Sequence, residues 1–419
     1  MITKLEGYKH LSLTRKLKVA KSPKLVYIPL VNQNDTDIEL IVKVGDTVLK
    51  GQKIGFRRNL FNVAIISSVS GKVLNIEEKR YSNDSLIKTL VIENDFKETT
   101  AYYEALDITN YTKADFVELL KDCGIVGLGG SGFPTYVKYD TTKKINTLIV
   151  NGIECEPYIT ADYMLMMTYP EEIIESINAI MSINKIKECI IAIKTKNKAL
   201  INNFKPFMAK YKNIRFELLP DIYPMGWEKL LVEKVKHVTY ESLPIEKNIV
   251  VNNVATIYAI YNVLKYRQGV TERIITITGE MIKNPQNVLV KVGSKAIDII
   301  NQIEGMKRFK DIFFIAGGPM MGVSLNDSDL VVSPNLNCVL VKRTETEDFI
   351  TNCMRCGKCV NVCPSHLCPV LIKDYVRNKE MLERSDVNKC IECGLCSYIC
   401  PAKIDVRQFV RQAKSNVRK

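Results

Sequence analysis

Short β-branched runs at residues 24–29, 38–44, 63–66 and 90–92, each bounded by turn-forming residues, predict a β-rich unit in the first hundred residues. The pattern then changes period. Helical spacing over 114–121 precedes a glycine-rich turn, and strand-like runs at 147–151, 188–193 and 214–219 alternate with helical stretches at 171–184 and 196–211. Such alternation calls for an α/β layer with a largely parallel sheet. A helix over 256–266 leads into strands at 274–278, 287–292 and 312–316 around a helix at 296–303, and a last helix is expected over 405–413. A chain of 419 residues is expected to form several units, and the changes of pattern divide it into four, 1–100, 101–268, 269–345 and 346–419.

Composition narrows the class. Hydrophobic residues make up 46% and charged residues 25%, an ordinary globular balance. No apolar run approaches the ~20 residues of a membrane span, and Met1-Ile-Thr-Lys-Leu-Glu lacks a signal-peptide core. A cytoplasmic or peripheral chain is expected. The net charge of +13 is dispersed, without a basic stripe interleaved with aromatics, so no nucleic-acid partner is expected. The positive field suits an acidic redox partner or anionic lipid headgroups. Thirteen cysteines in this setting point to metal, not to disulfides.

Eight of them form two copies of one run: Cys353-x2-Cys356-x2-Cys359-x3-Cys363-Pro364 and Cys390-x2-Cys393-x2-Cys396-x3-Cys400-Pro401. Zinc sites usually show two well-separated CxxC pairs, whereas this spacing wraps three thiolates around one [4Fe–4S] cube. In paired runs the fourth cysteine ligates the other cube. One cube is therefore assigned to Cys353, Cys356, Cys359 and Cys400, the second to Cys363, Cys390, Cys393 and Cys396. Cys123, Cys155, Cys189 and Cys338 lie in apolar stretches and read as small buried hydrophobes. Cys368, five residues past Cys363, reads as packing beside a cluster, with an extra ligand or redox thiol as the alternative.

Gly127, Gly129, Gly130 and Gly132 fall within six residues, where backbone amides can approach a phosphate or a flat ring. No Gly-Lys-Ser/Thr ends the run, which excludes a Walker A loop. Downstream stand Asn151-Gly-Ile-Glu154-Cys-Glu156-Pro157, Tyr223-Pro-Met-Gly226-Trp-Glu228 and Asn252-Asn253-Val-Ala-Thr256. Together these four elements resemble the flavin- and NADH-binding subunit of respiratory complex I. Near the N-terminus, Gly45-Asp-Thr-Val-Leu-Lys-Gly-Gln52 and Ser70-Gly-Lys-Val73 resemble the hairpins of lipoyl and biotinyl barrel-sandwich domains. No lysine stands in a carrier-tip context, so a structural module is expected there.

In the order of its parts, with Gly317-Gly-Pro-Met-Met-Gly322 before the cysteine runs, the whole chain resembles the C subunit of the Rnf ferredoxin–NAD+ oxidoreductase complex. That resemblance implies a barrel-sandwich hybrid domain, an α/β FMN/NADH-binding domain, an SLBB-type β-grasp unit and an α-helical two-cluster ferredoxin-like domain. It implies FMN, NAD(H) and two [4Fe–4S] clusters as cofactors. Flavin or nucleotide contacts are then expected from Gly127, Gly129, Gly130 and Gly132, with Lys138 one turn beyond. Asn151 is expected at a flavin edge, and Glu154 and Glu156 at ribose hydroxyls or ring N–H groups. Tyr223, Gly226 and Glu228 complete the acidic side, while Asn252, Asn253 and Thr256 sit at a helix start suited to phosphate or to simple capping. The expected function is electron transfer between NAD(H) and a ferredoxin or a membrane electron-transport complex, with the chain peripheral on the cytoplasmic face. The alternatives are a soluble NADH-dependent donor to a substrate reductase and a structural subunit with a vacant nucleotide pocket.

Overall fold

The computed structural model describes residues 4–31, 37–58, 61–102, 106–309, 311–344 and 349–418. Residues 25–94 form two antiparallel sheets. One joins Leu25–Pro29, Leu86–Asn94, Gly71–Arg80 and Thr47–Val48; the other joins Ile38–Leu40, Lys53–Arg57 and Val63–Ile66. They enclose Val26, Ile28, Val48, Ile54, Ile65, Val73 and Leu90, which satisfies the alternating pattern of the first unit. The expected strand over 38–44 stops at Leu40. Asp46 accepts from the Lys43 amide at 2.9 Å and turns the chain, leaving Ile41 and Val44 exposed.

The second unit is built on four parallel strands: β1 (Thr147–Asn151), β2 (Glu188–Lys194), β3 (Ile214–Leu219) and β4 (Ile249–Asn253). Their order across the sheet is β3-β2-β1-β4. Both faces are covered, which explains why the strands read as nearly continuous apolar runs. Leu148 and Val150 of β1 join one core with helices α1 (Lys113–Asp122), α3 (Pro170–Asn184) and α5 (Val254–Tyr266). Ile149 joins the other with α4 (Glu228–Lys236). A reciprocal cap starts α1: Thr112 Oγ1 accepts from the Asp115 amide at 3.3 Å, and Asp115 accepts from the Thr112 amide at 2.8 Å. The helix expected over 196–211 is shorter, a 3₁₀ turn at Thr195–Asn197 followed by Ala199–Met208.

Sequence periodicity misses β4, α4 and the helix α2 (Ala161–Thr168). Helix α2 is apolar almost all round because it is buried, so no polar face marks its period.

The third unit is a six-stranded sheet carrying helix Ala296–Gln302. Its central strands are Glu272–Thr278 and Cys338–Arg343, the second unread in the sequence. Its edge is supplied by Lys18–Val19, paired in parallel with Val288–Leu289. Lys18 and Val19 thus pair with a strand outside the first hundred residues. The last unit packs α6 (Val406–Arg418) against helices Pro369–Asp374 and Lys379–Arg384 around Ile372, Leu382, Val387 and Val410. Among the described residues, no helix is long and apolar enough to cross a membrane.

Candidate redox site

A parallel sheet ordered β3-β2-β1-β4 reverses its winding between β1 and β4, and ligands of such sheets bind outside the strand C-termini at that reversal. Asn151 and Asn253 are register partners at those two ends. Asn253 caps α5 by accepting from the Ala255 amide at 2.9 Å, and its Nδ2 donates to Asp162 at 2.7 Å. The glycine loop lies against this point: the Leu128 amide donates to Thr256 Oγ1 at 3.0 Å, and a Cβ on Gly129 would sit 3.1 Å from Asn253.

Within the loop, the Gly127 and Gly132 amides are used internally, on Phe133 O at 2.7 Å and Gly127 O at 3.0 Å. The amides of Gly129, Gly130 and Ser131 meet no acceptor among the described residues. Gly130 has φ +111 and open space where a side chain would stand. This donor set at a topological switch point fits the phosphate or ring edge of a flavin nucleotide.

The remaining expected contacts are placed differently. Asn151 donates to Gly226 O at 2.9 Å and accepts from the Ile153 amide at 3.1 Å, tying the Tyr223–Gly226 turn to the end of β1. Lys138 donates to Val251 O at 2.7 Å and pairs with Glu228 at 3.4 Å, so its charge is held by the sheet and by α4. Asn252 is buried and donates to Tyr139 Oη at 2.5 Å, away from any phosphate at the helix start.

Glu154 accepts from the Asp162 amide at 2.7 Å and pairs with the buried Lys9 at 3.4 Å. Lys9 also donates to Glu154 O at 2.9 Å and to Ile159 O. Glu156 accepts from the Met321 amide at 2.7 Å and the Met320 amide at 3.2 Å. It therefore seats the Gly317–Gly322 loop, which closes so tightly that a Cβ on Gly318 would lie 2.3 Å from its carboxylate.

Burial pushes both carboxyls up to about 7, and for Glu154 it outweighs the attraction of Lys9. A carboxyl raised in the folded state holds its proton where the unfolded chain has lost it. Stability contributed by these groups is thus full below the ordinary carboxylate range and falls as pH rises toward 7. The loss is on the order of 3 kcal/mol per group. Urea midpoints measured from pH 5 to pH 8 are expected to decline less steeply in Glu156→Gln than in the parent; equal slopes would contradict this burial.

The same loop reaches the cluster unit. Tyr223 Oη donates to Cys393 O at 2.8 Å, and Arg407 donates to Met320 O and, at 3.4 Å, to Gly322 O. One pocket in that unit is lined by Cys353, Cys356, Cys359 and Cys400, and a second by Cys363, Cys390, Cys393 and Cys396. These are the crossed quartets expected from the spacing. Four cysteines lining one pocket fit a [4Fe–4S] cube, and the amides of Leu367 and Glu392 point at the sulfurs of Cys363 and Cys390 at 3.4 and 3.3 Å. Cys368 lines neither pocket and instead precedes helix Pro369–Asp374. Cys123, Cys189 and Cys338 are buried, and Cys155 is half-buried against Gly226.

Sequence reasoning omits Lys9, Asp162, Asn335 and Arg407. Asn335 donates to Gly130 O at 3.2 Å, and each of the four meets the site from far along the chain or from a helix the periodicity hides. Only Asp162 carried a signal, as the end of the acidic stretch that starts at Asn151.

Three family models match: the RnfC barrel sandwich hybrid domain over residues 3–97, the Nuo51 FMN-binding domain over 120–262 and the 4Fe-4S dicluster domain over 352–404. The chain is 33% identical to the C subunit of the Na(+)-translocating ferredoxin:NAD(+) oxidoreductase complex of Acetobacterium woodii, covering 89% of this chain and 85% of that protein. It is 31% identical to the proton-translocating counterpart from Clostridium ljungdahlii, over 87% and 81%. The C subunit of the ion-translocating oxidoreductase complex of Vibrio cholerae is 32% identical over 89% of this chain, which spans about half (49%) of that longer relative. In fold, the chain is similar to a chain of the NAD+-reducing [NiFe]-hydrogenase in its H2-reduced state, with a TM-score of 0.52 at 16% identity. That match covers 76% of this chain and 64% of the hydrogenase chain.

Proposed function

This chain belongs to the family of C subunits of ion-translocating ferredoxin:NAD(+) oxidoreductase complexes, and on that premise we propose that it exchanges electrons between NAD(H) and a membrane-bound complex through two unequal cluster sites. It is an electron-transfer oxidoreductase subunit with an FMN-binding and a 4Fe-4S dicluster domain. When bound, FMN would supply hydride-transfer chemistry and the cubes single-electron transfer.

The chain's own residues supply placement. Amides of Gly129, Gly130 and Ser131 would hold the flavin nucleotide at the end of β1 and β4, with Asn253 and Thr256 fixing the loop beneath them. Glu154 and Glu156 support the site from behind, Glu154 holding Lys9 and the Asp162 amide and Glu156 seating the Gly317–Gly322 loop. The pocket of Cys363, Cys390, Cys393 and Cys396 is proximal to the flavin, since Tyr223 and the Gly317–Gly322 loop join it directly to the FMN-binding unit. The pocket of Cys353, Cys356, Cys359 and Cys400 is distal and faces the other subunits of the complex, on the cytoplasmic face of the membrane.

The observation that carries this reading is the Glu156–Met320–Arg407 seam, which ties the stretch after β1 to the pocket of Cys363, Cys390, Cys393 and Cys396, where Arg407 is also a lining residue. Anaerobically purified protein is expected to hold flavin and about eight iron atoms per chain, with cluster absorbance bleached by NADH. Absence of flavin together with no bleaching by NADH would sink the proposal and leave a structural subunit.

A further inference from the structure

Two carbonyls on the back of the glycine loop are held from outside the second unit. Leu128 O accepts from Arg273 Nη2 at 3.4 Å, and Gly130 O accepts from Asn335 Nδ2 at 3.2 Å. Both donors belong to the third unit, Arg273 within strand Glu272–Thr278 and Asn335 just ahead of strand Cys338–Arg343, beyond the 120–262 span of the FMN-binding match. Arg273 is buried and also donates to Pro334 O, which fixes the backbone next to Asn335. The Asn335 amide is fixed in turn: its Oδ1 accepts from Tyr81 Oη at 3.0 Å and from Ser333 Oγ at 2.9 Å. Tyr81 is a buried residue of the first unit. Because Gly130 O can only accept, the amide must turn Nδ2 to the loop and Oδ1 to the two hydroxyls.

Each held carbonyl dictates where the following amide points. A trans peptide sets its C=O and N–H in opposite directions within one plane, and the Leu128–Gly129 and Gly130–Ser131 bonds are trans. Drawing Leu128 O and Gly130 O to the back of the loop therefore turns the N–H groups of Gly129 and Ser131 to its front. These are two of the three loop amides that meet no acceptor among the described residues. Glycines at 129, 130 and 132 give the loop little torsional restraint of its own, so the restraint must come from its partners.

We propose that Asn335 and Arg273 are positioning residues that aim the Gly129 and Ser131 amides at the flavin nucleotide, so that the flavin site is completed by the third unit and, through Tyr81, by the first. The inference rests on the flavin reading of the loop.

The test uses anaerobically purified holoprotein. FMN released on serial dilution is followed by its fluorescence, and the FMN concentration that gives half-maximal bleaching of the clusters by NADH is measured beside it, with iron content as the report on the rest of the molecule. Asn335→Leu, close in size but without a donor, should weaken FMN binding about tenfold. Asn335→Gln keeps an amide donor at a half-buried position and should stay within about threefold of the parent. Arg273→Lys keeps the charge but offers one nitrogen to two carbonyls, and should weaken FMN binding about threefold. In each variant the half-saturating FMN concentration should rise by the same factor while the maximal bleaching rate falls less, with iron held at about eight atoms per chain.

FMN held equally by the parent, Asn335→Leu and Arg273→Lys overturns the proposal. So does Asn335→Gln performing no better than Asn335→Leu, or a loss of FMN that comes only with a loss of iron. A parent that binds no FMN refutes the flavin reading itself, and the inference falls with it.

Discussion

Cys400→Ala is expected to empty the pocket it shares with Cys353, Cys356 and Cys359 and to leave the other cube in place, lowering iron from about eight to about four atoms per chain. Alanine is preferred to serine because a hydroxyl can itself ligate iron. Iron content alone does not say which cube is lost, but pairs of substitutions do. Cys400→Ala combined with Cys353→Ala strikes one cube twice and should still hold about four iron atoms. Cys400→Ala combined with Cys390→Ala strikes both and should hold almost none. Were each run to ligate its own cube, these two outcomes would be exchanged. NADH-dependent bleaching should persist in Cys400→Ala, because the proximal pocket remains, and should be lost in Cys363→Ala along with the route through the seam.

Gly394→Ala should separate the cluster unit from the rest of the molecule, and Gly357→Ala should not. The two glycines hold equivalent places between the second and third ligands of their runs, with φ +79 and +71. Alanine in that conformation costs roughly 1–2 kcal/mol at either site. What differs is the space. Nothing lies within 4 Å of a Cβ on Gly357, whereas a Cβ on Gly394 would stand 2.6 Å from Met320 O, the carbonyl that Arg407 holds. Backbone cannot yield as a side-chain tip does, so the Gly317–Gly322 loop and the cluster unit must part. Limited proteolysis should release the C-terminal fragment from Gly394→Ala, and bleaching by NADH should slow by at least about tenfold, as for other displacements of reacting groups by an ångström. Equal behaviour of the two variants would show that the seam does not hold the units together.

What the sequence discloses is chiefly what repeats or alternates locally. Two identical cysteine runs name the eight thiols, and the fold gathers the same quartets into two pockets. The apolar runs of β1, β2 and β3 are legible because a strand buried on both faces excludes polar residues. β4 is not, since its two terminal asparagines look like a helix start and one of them, Asn253, does cap α5. Glu156 shows the deeper limit. Its neighbours mark it as part of an acidic stretch facing a ligand, yet its carboxylate engages amides 164 and 165 residues away, a partnership that no local pattern encodes. Lys9 is similar: a lysine in a run of mixed polar and apolar neighbours gives no sign that its amine is buried beneath Glu154.

The early pairing of Lys18–Val19 with Val288–Leu289 has a consequence for synthesis. At about 5–20 residues per second, the ribosome needs on the order of 15–55 s after making Val19 to deliver the strand it joins. During that interval Lys9 also waits for Glu154 and Ile159, and Ser12 for Thr160. The first unit can close on its own sheets while the segment ahead of it stays outside, so the N-terminal strap is a late arrival in a chain whose earliest residues are made first. A nascent chain arrested before residue 154 should therefore expose residues 4–20 to protease, and one released after the strand at 286–291 is made should protect them.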